Sequence, residues 1–111
     1  MIYDNPTYVS LDGTQQWYLN GSLHRENGPA VIRPDGRNSW YLNGQYHRTD
    51  GPAHIVRNGT QAWYLYGKLH REDGPAVIYK NGERLWYLNG KKCDPLHINF
   101  TELQFNIKDG F

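Results

Sequence analysis

The sequence is poor in the residues on which several protein classes depend. Cys93 is the only cysteine among 111 residues, so neither an internal disulfide nor a zinc site made of several cysteines can form. There is no signal peptide and no run of about 18 apolar residues that would span a membrane. From these absences we expect a soluble protein of a reducing compartment, the cytoplasm, with no membrane partner.

An excess of charge of one sign is missing as well. Twelve Lys and Arg face eleven Asp and Glu, which gives a formal net charge of +1. A chain so close to neutrality has no general attraction to phosphate backbones or anionic lipid. Nucleic acid is therefore not excluded as a partner, but the net charge does not support it.

Aromatic residues and an internal repeat are what the sequence has in abundance. Aromatics make up 14% of the chain, with four Trp and nine Tyr. The segment WYLNGQYHRTDGPAHI recurs 23 residues away on either side, as WYLNGSLHRENGPAVI and WYLYGKLHREDGPAVI. The same period separates Trp17, Trp40, Trp63 and Trp86. It also separates His24, His47 and His70, with Cys93 in the fourth place of their column.

One repeat domain is predicted to span residues 1–111. Its parts are a half repeat at 4–16, full repeats at 17–39, 40–62 and 63–85, a partial repeat at 86–93 and a C-terminal cap at 94–111. A cap is expected because the terminal units of a repeat array cover its exposed edge.

Each unit contains two dipeptides that are typical of hairpin turns. The first series is Asn20-Gly21, Asn43-Gly44, Tyr66-Gly67 and Asn89-Gly90, and the second is Asp35-Gly36, Asn58-Gly59 and Asn81-Gly82. Asn-Gly and Asp-Gly tolerate the positive φ angles of a two-residue type I′ turn, so we predict this turn in both series. Tyr66 departs from the pattern, and we expect another turn there. The result is seven or eight strands of about four or five residues, in which the four Trp and Gly21, Gly44, Gly67 and Gly90 have structural roles.

Two-residue turns fix which side chains share a face of the sheet. The predicted cross-strand pairs are Tyr41 with Tyr46, Trp40 with His47, Ile55 with Ala62 and His54 with Trp63. One face then carries the Trp, His and Leu columns together with Val31, His54 and Val77. The other face carries the Tyr column together with the Ala, Ile and Arg columns.

The 23-residue period and the pattern W-Y-x-N-G-x-x-H-R-x-D-G-P-A resemble MORN-like repeats, in the divergent form found in bacteriophage and large-DNA-virus proteins. The resemblance spans residues 4 to about 93. It implies an all-β fold, a single-layer twisted antiparallel sheet that is a meander of stacked β-hairpin repeats with a C-terminal cap. It also implies an interaction or scaffolding element without catalysis, and a related bacterial group acts as antitoxins of toxin–antitoxin modules.

We therefore expect a non-enzymatic protein–protein interaction module of a phage or viral type. It would bind and inhibit or redirect a host protein, such as a component of a defence system, in the host cytoplasm. Two alternatives stay open. One is nucleic-acid or nucleotide binding through the Arg and Tyr columns, and the other is a self-assembling scaffold or homo-oligomer joined through the N-terminal edge at residues 3–9.

Neither a metal site nor a catalytic centre is expected, and no cofactor. Equivalent His residues lie two strands apart, about 9 to 10 Å at the usual strand spacing, whereas zinc needs nitrogens about 2 Å from one ion. Cys93 is the one nucleophile that could be paired with a His, and it simply takes the place of the repeated His at the end of the array.

The arginine column, Arg25, Arg48 and Arg71, has two interpretations. Arg beside Tyr is typical of interface hot spots and can also grip phosphate. Alternatively, each Arg lies over its own Tyr and pairs with a nearby carboxylate for local order. Recurrence in every unit favours the second interpretation; the candidate carboxylates are Glu26, Asp50 and Glu72.

A binding site is expected where the repeat is broken. Tyr46 stands in a column of Leu, His54 in a column of Val, and Tyr66 where Asn is expected. Tyr79 and Cys93 are further departures. The residues predicted to bind a partner are Tyr46, His47, Arg48, His54, Tyr66, His70, Arg71 and Tyr79.

Overall fold

A computed structural model describes residues 4–95 of the chain. Within that range it contains fifteen β-strands, paired antiparallel throughout, and no α-helix. The prediction of an all-β meander of stacked hairpins is confirmed. Most of the predicted cap lies outside the described residues, because the description ends at residue 95.

Two sets of strands alternate across the main sheet. One set is β1 (Tyr8–Val9), β5 (Val31–Ile32), β9 (His54–Ile55) and β13 (Val77–Ile78). The other set is β2 (Gln15–Gln16), β6 (Asn38–Ser39), β10 (Gln61–Ala62) and β14 (Arg84–Leu88), and β15 (Lys91–Cys93) follows β14. The order is β1-β2-β5-β6-β9-β10-β13-β14-β15, so successive units lie side by side in one open layer.

Three short hairpins extend the sheet beyond the Trp residues. They are β3 (Tyr18–Leu19) with β4 (Ser22–Leu23), β7 (Tyr41–Leu42) with β8 (Gln45–Tyr46), and β11 (Tyr64–Leu65) with β12 (Lys68–Leu69). Neighbouring hairpins are hydrogen-bonded to one another. For example, the Gly67 N–H donates to the Tyr46 carbonyl at 2.8 Å and the Arg48 N–H to the Tyr64 carbonyl at 3.2 Å.

The predicted strand length is wrong for all but the last unit, because the chain changes partner at each Trp. The Trp40 N–H donates to the Ala53 carbonyl at 2.7 Å, whereas the Trp40 carbonyl accepts from the His47 N–H at 3.0 Å. β6 and β7 are thereby separated, and most strands are only two residues long. In the last unit the equivalent segment is not divided at its Trp, and β14 is one strand of five residues.

The first turn of each unit is the predicted type I′ turn. Asn43 and Gly44 both have positive φ, 51° and 80°, which this turn requires. Tyr66 adopts the same conformation with φ of 47°, so the expectation of a different turn at Tyr66-Gly67 is wrong. A bulky residue in the left-handed region is unfavourable. The hydrogen bonds of the flanking hairpins hold the Tyr66 backbone there.

The second turn is not the predicted two-residue turn but a three-residue loop. Gly59 has positive φ of 96°, whereas Asn58 does not. The Gly59 N–H donates to the Val56 carbonyl, the Val56 N–H donates to the Thr60 carbonyl, and the Asn58 side chain accepts from the Thr60 N–H. This is a type I turn followed by a left-handed glycine. It shifts the register by one residue, so Ala62 pairs with His54 and not with Ile55.

The shift exchanges half of the predicted faces, because neighbouring residues of a strand point to opposite sides. In the last unit Val77 pairs with Leu85, and Tyr87, two residues farther along the same strand, therefore points to the same side. Val31, His54 and Val77 accordingly share the face of the Tyr column and not that of the Trp column. We call these the tyrosine face and the tryptophan face, and the Ile and Ala columns belong to the latter.

The core is small, as expected for a single layer. Ala30, Ala53 and Ala76 are fully buried, and Val31 and Val77 are nearly so. Each of these Ala residues is hydrogen-bonded to the chain segments on both sides of it. The Ala53 carbonyl accepts from the Trp40 N–H, and its N–H donates to the Ala62 carbonyl. Cohesion therefore comes largely from the hydrogen-bond ladder and from stacked side chains.

Candidate functional site

A stack of three tyrosine rings lies at the centre of the tyrosine face. The Tyr41 and Tyr46 ring centroids are 4.6 Å apart, and those of Tyr46 and Tyr64 are 4.8 Å apart, with interplanar angles of 26° and 29°. The His54 ring lies 5.1 Å from Tyr46. Tyr46 therefore joins the aromatic side chains of two successive units into one continuous, half-buried patch.

Local pairing explains why these rings meet. Tyr41 and Tyr46 are opposite one another in the hairpin of β7 and β8. Tyr64 starts the next hairpin, whose backbone is hydrogen-bonded to that of Tyr46. In the flanking units the place of Tyr46 is taken by Leu23 and Leu69, which pair with Tyr18 and Tyr64. A Leu is thus sufficient for folding, and the stack exists only because the second unit carries Tyr.

The groups of this patch are uncharged at neutral pH. Burial lowers the pKa of His54, and the positive charges of Arg33 and Arg37 lower it further. Burial and a hydrogen bond with the Tyr46 hydroxyl raise the pKa of Tyr41 well above its usual value. A neutral aromatic surface can be desolvated at low cost, which suits contact with another macromolecule.

A Ser–His contact on the tyrosine face does not form a nucleophilic pair. The Ser39 hydroxyl lies 2.9 Å from His54 Nδ1, but Ser39 is only 1% exposed. A substrate carbonyl has no access to an oxygen at that depth. The hydrogen bond instead satisfies a buried hydroxyl and fixes the orientation of the His54 ring.

No family model, curated protein or solved structure matches the chain. The repeat itself is then the guide to function, because each unit shows which side chains its neighbours need for folding.

The tryptophan face holds the arginine column in a fixed environment. The Arg48 guanidinium lies 3.8 Å above the Trp40 ring, and it donates from Nε to Asp50 at 2.9 Å and from Nη1 to the Pro52 carbonyl at 3.0 Å. Gly51 covers its other side, since a Cβ there would come within 2.8 Å of Arg48 Cζ. The same arrangement holds Arg71, between Trp63 and Gly74.

This geometry corrects the predicted neighbours of the arginines. They stack on Trp and not on Tyr, because the loop after each hairpin folds back over the tryptophan face. The predicted carboxylate Asp50 does pair with Arg48. The partners of Arg25 and Arg71, however, are Asp4 and Asp73. Glu26 and Glu72 pair with His24 and His70 instead.

The repeated histidines connect one unit to the next. Nδ1 of each accepts a hydrogen bond from the backbone N–H of the first turn residue in the following hairpin. The distances are 2.9 Å for His24 with Asn43, 3.0 Å for His47 with Tyr66 and 2.9 Å for His70 with Asn89. An accepting Nδ1 requires a neutral ring with its proton on Nε2.

Two similar grooves lie between successive units on the tryptophan face. One, of about 470 Å³, has Trp40, Leu42 and His47 among its lining residues. The other, of about 680 Å³, has Trp63, Leu65 and His70 in the equivalent places. These Trp, Leu and His side chains recur in each unit, so the grooves follow from the repeat.

The predicted binding residues do not form one site. Tyr46 and His54 are in contact on the tyrosine face. His47, Arg48, His70 and Arg71 line the grooves of the tryptophan face, and the Tyr66 ring lies 4.1 Å from that of His47. Tyr79 is exposed at a second turn of its own unit. A single partner that contacts one face reaches only a part of this set.

Within residues 4–95, no three His, Cys, Asp or Glu side chains are placed to hold a metal ion. Burial and the nearby Asp94 carboxylate raise the pKa of the Cys93 thiol, which keeps it protonated and unreactive at neutral pH. The same part of the chain contains no helix long and apolar enough to cross a membrane.

Proposed function

We propose that the protein is a non-enzymatic binding module that recognises a partner protein with its tyrosine face. The stack of Tyr41, Tyr46 and Tyr64 beside His54 is the observation that carries the proposal. Tyr is enriched in interface hot spots because it offers a large contact area with few rotatable bonds. Here the rings already hold one another in place, so little conformational entropy is lost on binding.

At this patch, a comparison of the units distinguishes the side chains that folding requires from those that are available for binding. Leu23 and Leu69 replace Tyr46 in the flanking units, and Val31 and Val77 replace His54, while the strands pair in the same way. The two aromatic side chains are therefore not required by the architecture. Their combination at neighbouring positions of one face supports a role in recognition.

The biological setting of the proposal comes from the MORN-like resemblance. A phage or viral protein of this type would bind a host protein, such as a component of a defence system, and block or redirect it. A flat and nearly neutral aromatic surface fits such a protein interface better than a small-molecule site, which needs a concave pocket.

Site-specific photocrosslinking tests the proposal. A photoreactive phenylalanine analogue is placed at position 46, and in a second protein at position 66, which lies on the opposite face. We expect irradiation in the native host extract to give one discrete protein adduct from position 46 and none from position 66. Adducts of the same protein from position 66 alone would show that the partner uses the tryptophan face.

A further inference from the structure

A depression of about 460 Å³ runs across the second turns of three successive units. Arg37, Arg57 and Lys80 line it, together with Val56 and Asn58. We propose that this depression is a binding site for the phosphate group of a small ligand.

The charges at the site favour a dianion. Three cationic side chains meet there, and one carboxylate, Asp35, lies beside them with Oδ2 at 2.8 Å from Arg37 Nε. Neither Arg57 nor Lys80 forms an ion pair within the described part of the chain. A phosphate dianion would neutralise the remaining excess of two positive charges, whereas a single carboxylate would neutralise only half of it.

The side-chain chemistry also suits a phosphate. A guanidinium offers a planar pair of donors that matches two oxygens, and an ammonium offers a compact charge that adapts to a third. Asp35 engages only Nε of Arg37, and the Nη groups of Arg37 make no hydrogen bond inside residues 4–95. The stacked arginines of the tryptophan face differ from Arg37, because both Nε and Nη1 of Arg48 and Arg71 have acceptors and Trp and Gly cover the two sides of each guanidinium.

The repeat indicates that these cations have no architectural task. The turn position of Arg57 and Lys80 is occupied by Leu11 and Pro34 in the other units. The position of Arg37 is occupied by Thr14, Thr60 and Glu83. All four turns nevertheless share two hydrogen bonds: the glycine N–H donates to the carbonyl three residues before it, and the Asp or Asn side chain accepts from the N–H two residues after it. A turn therefore needs none of the three charges for these contacts.

A small ligand fits better than a nucleic-acid backbone. The three side chains converge on one depression, whereas duplex binding requires cations spread along several phosphates, and the net charge of +1 gives no wider positive surface. The site shares no residue with the proposed protein-binding patch, so either proposal can fail without the other.

A titration with pyrophosphate, followed by backbone amide NMR at about 150 mM salt, tests the site. We expect saturable shifts at the amides of Arg37, Asn58 and Lys80. The variant Arg57→Ala/Lys80→Ala should weaken binding at least about tenfold. Its matched control is Lys68→Ala/Lys91→Ala, which removes the same charge from two exposed lysines of strands β12 and β15. This control should leave binding unchanged.

Two further probes distinguish the sources of the phosphate. A nucleoside triphosphate that binds more tightly than pyrophosphate, at the same amides, identifies a nucleotide as the ligand class. A short DNA duplex that binds where pyrophosphate does not would overturn the proposal in favour of nucleic acid. An absence of saturation, equal weakening in both double variants, or tighter binding of a glutamate-rich peptide would overturn it as well.

Discussion

At the scale of single residues, the contacts of one guanidinium explain the repeated segment Arg48–Pro52. Trp40 covers one side of Arg48 and Gly51 the other, while Asp50 and the Pro52 carbonyl take its donors. Asp50, Gly51 and Pro52 thus each contribute one contact with Arg48. The motif has the appearance of a charged active-site set, but its geometry is that of a structural clamp.

Arg48→Lys should destabilise the fold although it keeps the charge. A lysine cannot stack as a plane on the Trp40 ring and cannot reach Asp50 and the Pro52 carbonyl in a fixed fork. We expect the free energy of unfolding to fall by about 1–2 kcal/mol, measured by urea denaturation. Arg84→Lys is the control, since Arg84 is exposed, and an equal loss in both variants would contradict the clamp.

The site residues that the sequence predicts are only partly those that the structure brings together. The departures from the repeat included two side chains that are in contact, Tyr46 and His54. It did not show that Tyr41 and Tyr64 complete the stack, because they recur in every unit and look structural. The same signal did not point to Arg57, because its turn position differs in every unit: Leu11, Pro34 and Lys80 occupy it elsewhere.

At the scale of secondary-structure elements, turn chemistry decides how far sequence reasoning succeeds. Asn-Gly pairs predicted the first turns, and the register of Tyr41 with Tyr46 followed. The second turns failed because Asp-Gly and Asn-Gly also end a type I turn with a left-handed glycine. Pro34 was an available signal, since proline favours the second position of a type I turn, and a two-residue turn at Asp35-Gly36 would need a backbone N–H at position 34 to close the hairpin.

The contact between the second and third hairpins should depend on pH through His47. Burial lowers the pKa of His47 in the folded protein below its ordinary value of 6.5. Its contribution to stability is therefore complete above about pH 6.5 and is lost as the pH falls through the folded pKa, because only the unfolded chain gains the proton in that window. Protonation also places a donor on Nδ1 opposite the Tyr66 N–H.

Thermal unfolding at several pH values between about 5 and 8 measures this contribution. The wild-type Tm should fall on acidification, and His47→Asn should reduce the fall, since an amide oxygen accepts the Tyr66 hydrogen bond without titrating. A Tm of His47→Asn that falls as steeply as that of the wild type would show that His47 does not provide the pH dependence.

At the scale of the whole molecule, the single layer gives the protein two broad faces with different tasks. The tryptophan face carries the contacts that recur in each unit, the arginine clamps and the histidine links. The tyrosine face carries the aromatic stack, which occurs once within residues 4–95. The contacts that recur in each unit hold the fold together, and we propose that the departures from the repeat on the tyrosine face recognise a specific partner.

Restoring the repeat on the tyrosine face tests this division most directly. The changes Tyr46→Leu and His54→Val give the second unit the side chains that its neighbours use, and Ser39→Ala, the residue found at position 62, removes the buried hydroxyl that would lose its His54 partner. Tyr66→Asn restores the repeated residue on the tryptophan face. We predict that both variants keep the wild-type Tm within about 5 °C. The triple variant should lose at least about tenfold in affinity for the crosslinked partner, and Tyr66→Asn should bind normally. Wild-type affinity in a folded triple variant would contradict the account.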